Sequence, residues 1–533
     1  MLKFLVLDNG GLAADWPLRN AYLVGADNNA MRSDIFVEDG GLICEKREHS
    51  SAALCLQHDV GACGELTVQT TLLPERDEPY LLSLELARHR MMMLYTKMEE
   101  WQLFDLAAEH PAAKRTELAK KLFIETLCQQ GTNLSQANKL ADDCLIAAID
   151  GSEELVLVNA DRELKRRLED EDLPKHPVGC GVAWEDNHEK ACHALANTFD
   201  FLYLPTPWRA LAPEAGDYRW DELDNWAEWA IRNRMPVIAG PLISFEPSGL
   251  PDWMYIWEHD YDTVRELVYE HIERVVTRYK NKISAWKIVS GLHVNAHFPC
   301  SFDQIIELTR LAAMGVKKVQ PTGKVLVELR QPFGEYFGSN PRSIAPQMYA
   351  DLVVQGNINF DAFGIQLMMG QPQSGQYTRD LLQISNLLDD YAGTGKPIHL
   401  TVAVPSQSLT ATPKANDESS ALLTNAGSCG YWRKPWTPQV QAHWLEAVFK
   451  IALSKPYIES VAWNQLADQV TADMPLSGLL THDHQPKAAL RRVTSFRRMI
   501  GASHKGQGTQ ADDVSNDDAS NINDPGVSLM NGK

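Results

Sequence analysis

The chain lacks any apolar run approaching the ~20 residues that span a membrane. It also lacks an excess of positive charge: 50 Lys and Arg stand against 70 Asp and Glu, a formal net charge of −20. Such a surface favours solubility and disfavours nucleic acid and anionic membranes as partners. Its nine cysteines lack metal-type CxxC spacing, and their odd number and place in apolar runs (Cys55, Cys128, Cys144, Cys180) predict reduced core thiols. There is no Gly-rich phosphate loop, no nucleophile elbow and no basic patch interleaved with aromatics, so nucleotide and nucleic-acid chemistry find no support. No cofactor and no metal site is predicted. The start, MLKFLVLDNGG, is too short an apolar run for a secretory segment and reads as a strand, so a cytoplasmic location is expected.

What is present divides into segments. Residues 1–85 read as short strands (LKFLVL, NAYLVG, DIFVEDG, GLICEKR, AALCLQHD, ELTVQTTLL) broken by Gly, Asn and Asp, an all-β pattern expected to form a small sandwich. Residues 86–176 form a helical connecting region, in which LSQANKLADDCLIAAIDGSEELVLVNADRELKRRL has helical periodicity and a basic end. From 177 to 500 apolar runs alternate with amphipathic helices. Eight strand candidates occur: VGCGVAW, DFLYLPTPW, PVIAGPLIS, SAWKIVSGL, KVLVELR, AFGIQLMM, PIHLTVAV and ESVAWNQLAD. Eight β/α units, with strands apolar enough to be buried on both faces, predict a closed (β/α)8 TIM barrel, class α/β. Residues 501–533 are polar and rich in Gly, Asn and Asp; they bury too little to offset ordering entropy and are expected to be disordered.

The barrel segment resembles glycoside hydrolase family 10, the retaining endo-xylanases. The resemblance is carried by WRALAPEAGDYRWDELDNWAEWAIRNRMPV, LPDWM, HIERVVTRYKNKISAWKIVSG, FDAFGIQLMM, GKPIHLTVAV and GLLTHDHQPKAAL, in the family's order and spacing. Retaining hydrolysis needs two carboxylates about 5 Å apart, one acid/base and one nucleophile. The resemblance implies glutamates at the ends of strands four and seven, where this chain has Ser290-Gly291 and Thr401-Val402. The implied sugar-binding shell is also altered, falling on Leu204, Pro205, Pro207, Ser244-Phe245, Met368 and Glu328-Leu329, while Gln366 and Trp463 match.

Functional residues of such barrels sit at the C-terminal strand ends. The ionisable residues expected there are Glu185, Glu246, His293, Glu328, Arg330 and Asp468. Glu246 and Glu328 are the candidates for a relocated catalytic pair, against the plainer reading that each is solvated or ion-paired. His293 with His297, and His482 with His484, read better as polar loop residues than as metal ligands. Among 14 tryptophans, Trp208 and Trp463 are candidate platforms for a sugar ring, with Gln366 a further substrate-binding candidate; Trp184, Trp432 and Trp436 rank below them. The insert 405–438 is long for a βα loop and has the reach to cover the cleft. The leading expectation is a carbohydrate-binding barrel whose glycosidase activity is lost or strongly impaired. The alternatives are an active O-glycosyl hydrolase of xylanase type using relocated carboxylates, and a non-enzymatic structural or assembly protein. Oligomeric state is not legible.

Overall fold

The computed structural model describes all residues except 9–10, 14–15, 39, 185–187, 409–428, 470–472 and 506–533. The expected eight strands close into an all-parallel barrel: Val178–Gly181, Phe201–Leu204, Val237–Ala239, Ala285–Ser290, Lys324–Arg330, Ala362–Met368, Ile398–Ala403 and Ile458–Trp463. The first and last strands pair through Val178 with Val461 and Cys180 with Trp463, which removes both sheet edges.

Side chains alternate along each strand between the barrel interior and the surrounding helices. In KVLVELR, Val325, Val327 and Leu329 belong to the large outer core, whereas Leu326 packs inside with Phe201, Tyr203, Ile238, Ala285, Ala362 and Ala462. Gly179 gives Phe201 its room, because a Cβ there would meet the phenyl ring at 2.2 Å. The helices around the barrel follow their apolar stripes. Tyr261–Tyr279, capped by the Asp260 carboxylate on the Thr263 amide, buries Val264, Val268, His271, Ile272, Val275, Val276 and Tyr279.

Ahead of the barrel, a four-stranded and a five-stranded sheet share one apolar core with three helices. These are α1 (Leu82–Glu100), α2 (Pro111–Gln129) and α3 (Leu134–Glu169). The long helix expected from LSQANK onward is α3, started by the Asn133 side chain accepting from the Gln136 amide. Its last turn reaches the barrel, where buried Arg167 donates to the carbonyls of Leu453 and Lys455, both at 2.8 Å. Those carbonyls lie at the end of the helix Pro438–Ser454, where a cation also suits the helix dipole.

The strands of residues 1–85 do not complete their own sheet. The outer strand of the five-stranded sheet is Tyr431–Trp432, which comes from the barrel's insert and pairs antiparallel with Gly64–Gln69. Gly64 permits this approach: its φ is +107°, and a Cβ would stand 2.2 Å from the Tyr431 carbonyl oxygen. At the other end of the chain, the final helix runs Ala488–Lys505, so residues 501–505 are helical rather than part of a disordered tail. The remainder of the predicted tail lies outside the described residues, and no described helix is long and apolar enough to cross a membrane.

Candidate functional site

The C-terminal strand ends surround a cleft of about 380 Å³ lined by Trp184, Tyr203, Trp208, Glu328, Arg330, Gln366 and other polar residues from the last βα loop. Its floor is built by the inward-facing row of strands four and five. Lys287 projects into the barrel from Ala285–Ser290, with its ammonium 3.6 Å from the centroid of the Tyr203 ring. It is 2% exposed and forms a close ion pair with Glu328, itself 1% exposed. The same ammonium donates to Thr401 Oγ1 at 3.3 Å, and Ser290 Oγ donates to the second Glu328 oxygen at 2.8 Å. Burial pushes the Lys287 pKa below that of an ordinary lysine, against the pull of Glu328. Burial also raises the Tyr203 phenol well above its usual range, helped by the Glu328 charge.

One layer higher, Arg330 stands 3.9 Å from Glu246 and 3.3 Å from Asp473. Burial opposes its charge, but Glu246, Asp473 and Glu328 outweigh that and hold its pKa above the ordinary value. Glu246 also reaches His297 at 3.3 Å. Glu246 and Glu328, the proposed relocated pair, therefore each carry cationic partners of their own, with Arg330 acting electrostatically on both.

The remaining candidates separate. Gln366 lines the cleft, opposite Arg330 in the strand register. Trp208 also lines it, but only 3% of its surface is exposed, and its face is already stacked on His271, with centroids 4.2 Å apart. Trp463 corrects the expectation of a sugar platform: it has no exposure, sits edge-on to Trp444 and donates its indole N–H to the Ser477 carbonyl at 2.8 Å. As the last residue of its strand it packs outward into the helix layer, a direction that apolar content alone does not reveal. Trp184 lies partly open in the cleft and donates to the Pro205 carbonyl at 2.9 Å, so it is the more accessible aromatic face.

His293 is buried, with Nε2 3.0 Å from the Arg330 carbonyl, its ring stacked on Tyr349, and burial lowering its pKa to about 4. Asp468 accepts from the Gly478 amide and from Lys487, and burial raises its pKa. Glu185 and the centre of the 405–438 insert lie outside the described residues. The insert's described end is tied away from the cleft, with Trp432 donating to Glu153 at 2.8 Å and Trp436 to the Gly430 carbonyl at 3.1 Å.

Sequence reading passed over Lys287, Asn464, Gln469 and Asp473. For Lys287 a signal was present: a lone lysine within the apolar run AWKIVS must find a counter-charge if that strand is buried on both sides. The others lie past the last strand, where no periodicity places them.

Against known proteins, the family model for glycosyl hydrolase family 10 matches residues 189–297. An endo-1,4-beta-xylanase A of Xylanibacter ruminicola is 29% identical over 107 residues, covering 19% of this chain and 28% of that protein. An endo-1,4-beta-xylanase of Agaricus bisporus is 26% identical over 229 residues, covering 40% of this chain and 66% of that one. The chain thus matches less than two thirds of the length of each. Among solved structures, xylanase 10B of Thermotoga maritima aligns with 16% identity and a TM-score of 0.45, covering 64% of this chain and 99% of that one. The barrel is a closed, all-parallel TIM barrel, and over residues 189–297 it is similar to glycosyl hydrolase family 10.

Proposed function

We propose that the barrel binds a carbohydrate at its mouth and has lost, or nearly lost, the power to cleave it. The observation that carries this reading is the Lys287–Glu328 pair. A carboxylate at the cleft floor is the best-placed group for glycosidic chemistry, and here it is neutralised by an ammonium and a serine hydroxyl. Retaining hydrolysis requires a second carboxylate about 5 Å away, free to attack or to carry a proton. Glu246 is held instead by His297 and Arg330, while the inward-facing ends of strands four and seven carry Ser290 and Thr401. The hydroxyl groups of Ser290 and Thr401 cannot protonate a leaving group at neutral pH.

Binding is supported by what lines the cleft. Trp184 offers an apolar face, and Gln366, Asn464 and Gln469 offer amides, the combination that suits a pyranose with its hydroxyl groups around an apolar ring. None of the nine cysteines forms a disulfide and seven of them are buried, which supports a reducing compartment such as the cytoplasm.

The test is direct. Purified protein should release no aryl alcohol from an aryl-xyloside and should gain thermal stability with xylo-oligosaccharides. If turnover is found, the loss of activity is wrong; Glu246→Gln and Glu328→Gln then decide whether those two carboxylates act, since each should reduce the rate by orders of magnitude. If neither turnover nor stabilisation is found and the protein forms defined oligomers, a role in assembly replaces the carbohydrate reading.

A further inference from the structure

A second cavity, of about 430 Å³, lies away from the barrel mouth, between the N-terminal sheets and helices and the flank of the barrel. One wall is α1, which contributes Leu86, His89, Arg90 and Met93, residues spaced to share a helix face. The facing wall is the barrel helix Leu381–Ala392, which contributes Leu382, Asn386, Leu387 and Asp390. The loop after strand five closes one side with Phe333.

The two arginines of this cavity are already neutralised. Arg90 is paired with Asp380 and also donates to Ser152 at 3.3 Å. Arg379 is paired with Glu335, donates to Tyr22 Oη at 2.6 Å and to Gln383 at 2.8 Å, and lies 3.9 Å from the centroid of the Phe333 ring. Asn386 differs. Among the described residues, neither its amide nitrogen nor its amide oxygen has a partner, although both atoms are shielded from solvent; the Arg379 Nε is also without one. A carboxamide in that position loses the hydration of both groups and gains no hydrogen bond in return. A cavity of this size, whose lining sets apolar side chains among convergent polar groups, has the form of a small-molecule site.

We propose that this inter-region cavity binds a small uncharged ring molecule that presents a hydrogen-bond donor and an acceptor on neighbouring atoms, read by the two atoms of the Asn386 carboxamide. A charged ligand is disfavoured because each guanidinium group is already paired with a carboxylate of the protein. Leu86 and Met93 on one side, and Leu387 and Phe333 on the other, hold the faces of the ring. Two sources share this chemistry: the vicinal hydroxyl groups of a neutral sugar, and the amide-like edge of a nucleobase.

The experiment titrates the full chain with xylobiose and, separately, with adenosine, by calorimetry up to the millimolar range. Three variants accompany it: Asn386→Leu, Met93→Trp to fill the cavity, and Gln366→Ala at the barrel mouth. The expected result is a saturable binding component, separate from any xylobiose binding at the mouth, that weakens at least about tenfold in Asn386→Leu, is abolished in Met93→Trp and persists when Gln366→Ala weakens the mouth. Xylobiose binding that responds only to Gln366→Ala belongs to the mouth, so failure here is separate from failure of the proposed function. If neither probe binds, or if binding survives both Asn386→Leu and Met93→Trp, the proposal is overturned. It is likewise overturned if no probe binds and Asn386→Leu raises the melting temperature, since the cavity is then an imperfectly filled void. Should Asn386→Leu fail to fold, Met93→Trp decides alone.

Discussion

Two regions of this molecule bury ionic groups, and they bury them differently. Between the N-terminal region and the barrel, the charges are knotted into multi-partner sets that span the two parts. Arg90 holds Asp380, Arg433 holds Asp150 and Glu153, and Lys97 and Lys455 converge on Asp389. Glu153 further accepts from the Leu381 amide at 3.0 Å and from Trp432. At the barrel mouth, the charges are stacked in layers that open into a cleft, from Lys287 and Glu328 at the floor to Arg330 above them. Buried charges are tolerated only with partners. At the interface the partners belong to the other part of the molecule, so the charges fix an arrangement. At the mouth they belong to neighbouring strands, so the charges shape a surface for something else.

This contrast can be broken by experiment. The largest effect should come from Arg90→Met, which strands Asp380 without its main partner; urea unfolding should show a loss of about 3–5 kcal/mol, with much of it recovered in Arg90→Met/Asp380→Leu. An unchanged midpoint would mean that the interface charges do not hold the two parts together.

Lys287→Met should cost somewhat less, about 2–3 kcal/mol, because the cleft lets water reach the abandoned Glu328. It should at the same time alter ligand affinity at the mouth, which Arg90→Met should not. Equal effects of both substitutions on affinity would erase the distinction between the regions.

A third measurement concerns pH. Burial lowers the pKa of His271 to about 3 and of His293 to about 4, from an ordinary 6.5. Both rings stay neutral in the fold while the unfolded chain takes up protons below 6.5. Their contribution is thus fully present above pH 6.5 and is lost as pH falls from there towards 4. The slope is up to about 1.4 kcal/mol per pH unit for each histidine. His293→Gln should flatten the fall of the urea midpoint between pH 6.5 and 4; an unaltered slope would show that His293 is not buried neutral.

The smallest effect on stability should come from Gln366→Ala, within about 0.5 kcal/mol. Its effect on xylo-oligosaccharide binding should still approach tenfold, as expected when one hydrogen-bonding side chain is lost from a site. Loss of stability without loss of affinity would place Gln366 with the structural residues.

Much of the fold was legible in the sequence because its signals are local. VGCGVAW, KVLVELR and the other runs declare buried parallel strands one at a time, and the 3.6-residue stripe of Val264 to Tyr279 declares the helix between them. The site was legible only in part. Glu328 falls at the cleft because strand-end position follows from strand order, and Gln366, singled out by its match to the family pattern, lines the same cleft. Trp463 was misplaced because the strand's two faces, cleft and helix layer, are both apolar at that height, so composition does not tell them apart. Lys287 was overlooked because its meaning depends on Glu328, 41 positions away.

By itself, the sequence determined that eight β/α units follow a β-rich and helical segment, that part of the barrel is similar to glycosyl hydrolase family 10, and which residue types stand at its strand ends. Only the tertiary structure decided that Tyr431–Trp432 leaves the barrel to complete a sheet of the N-terminal region, that Trp463 is core, and that Lys287 closes on Glu328. The physical reason is common to all three: strand addition, side-chain facing and charge pairing are settled between segments distant in the chain, where no local pattern reaches.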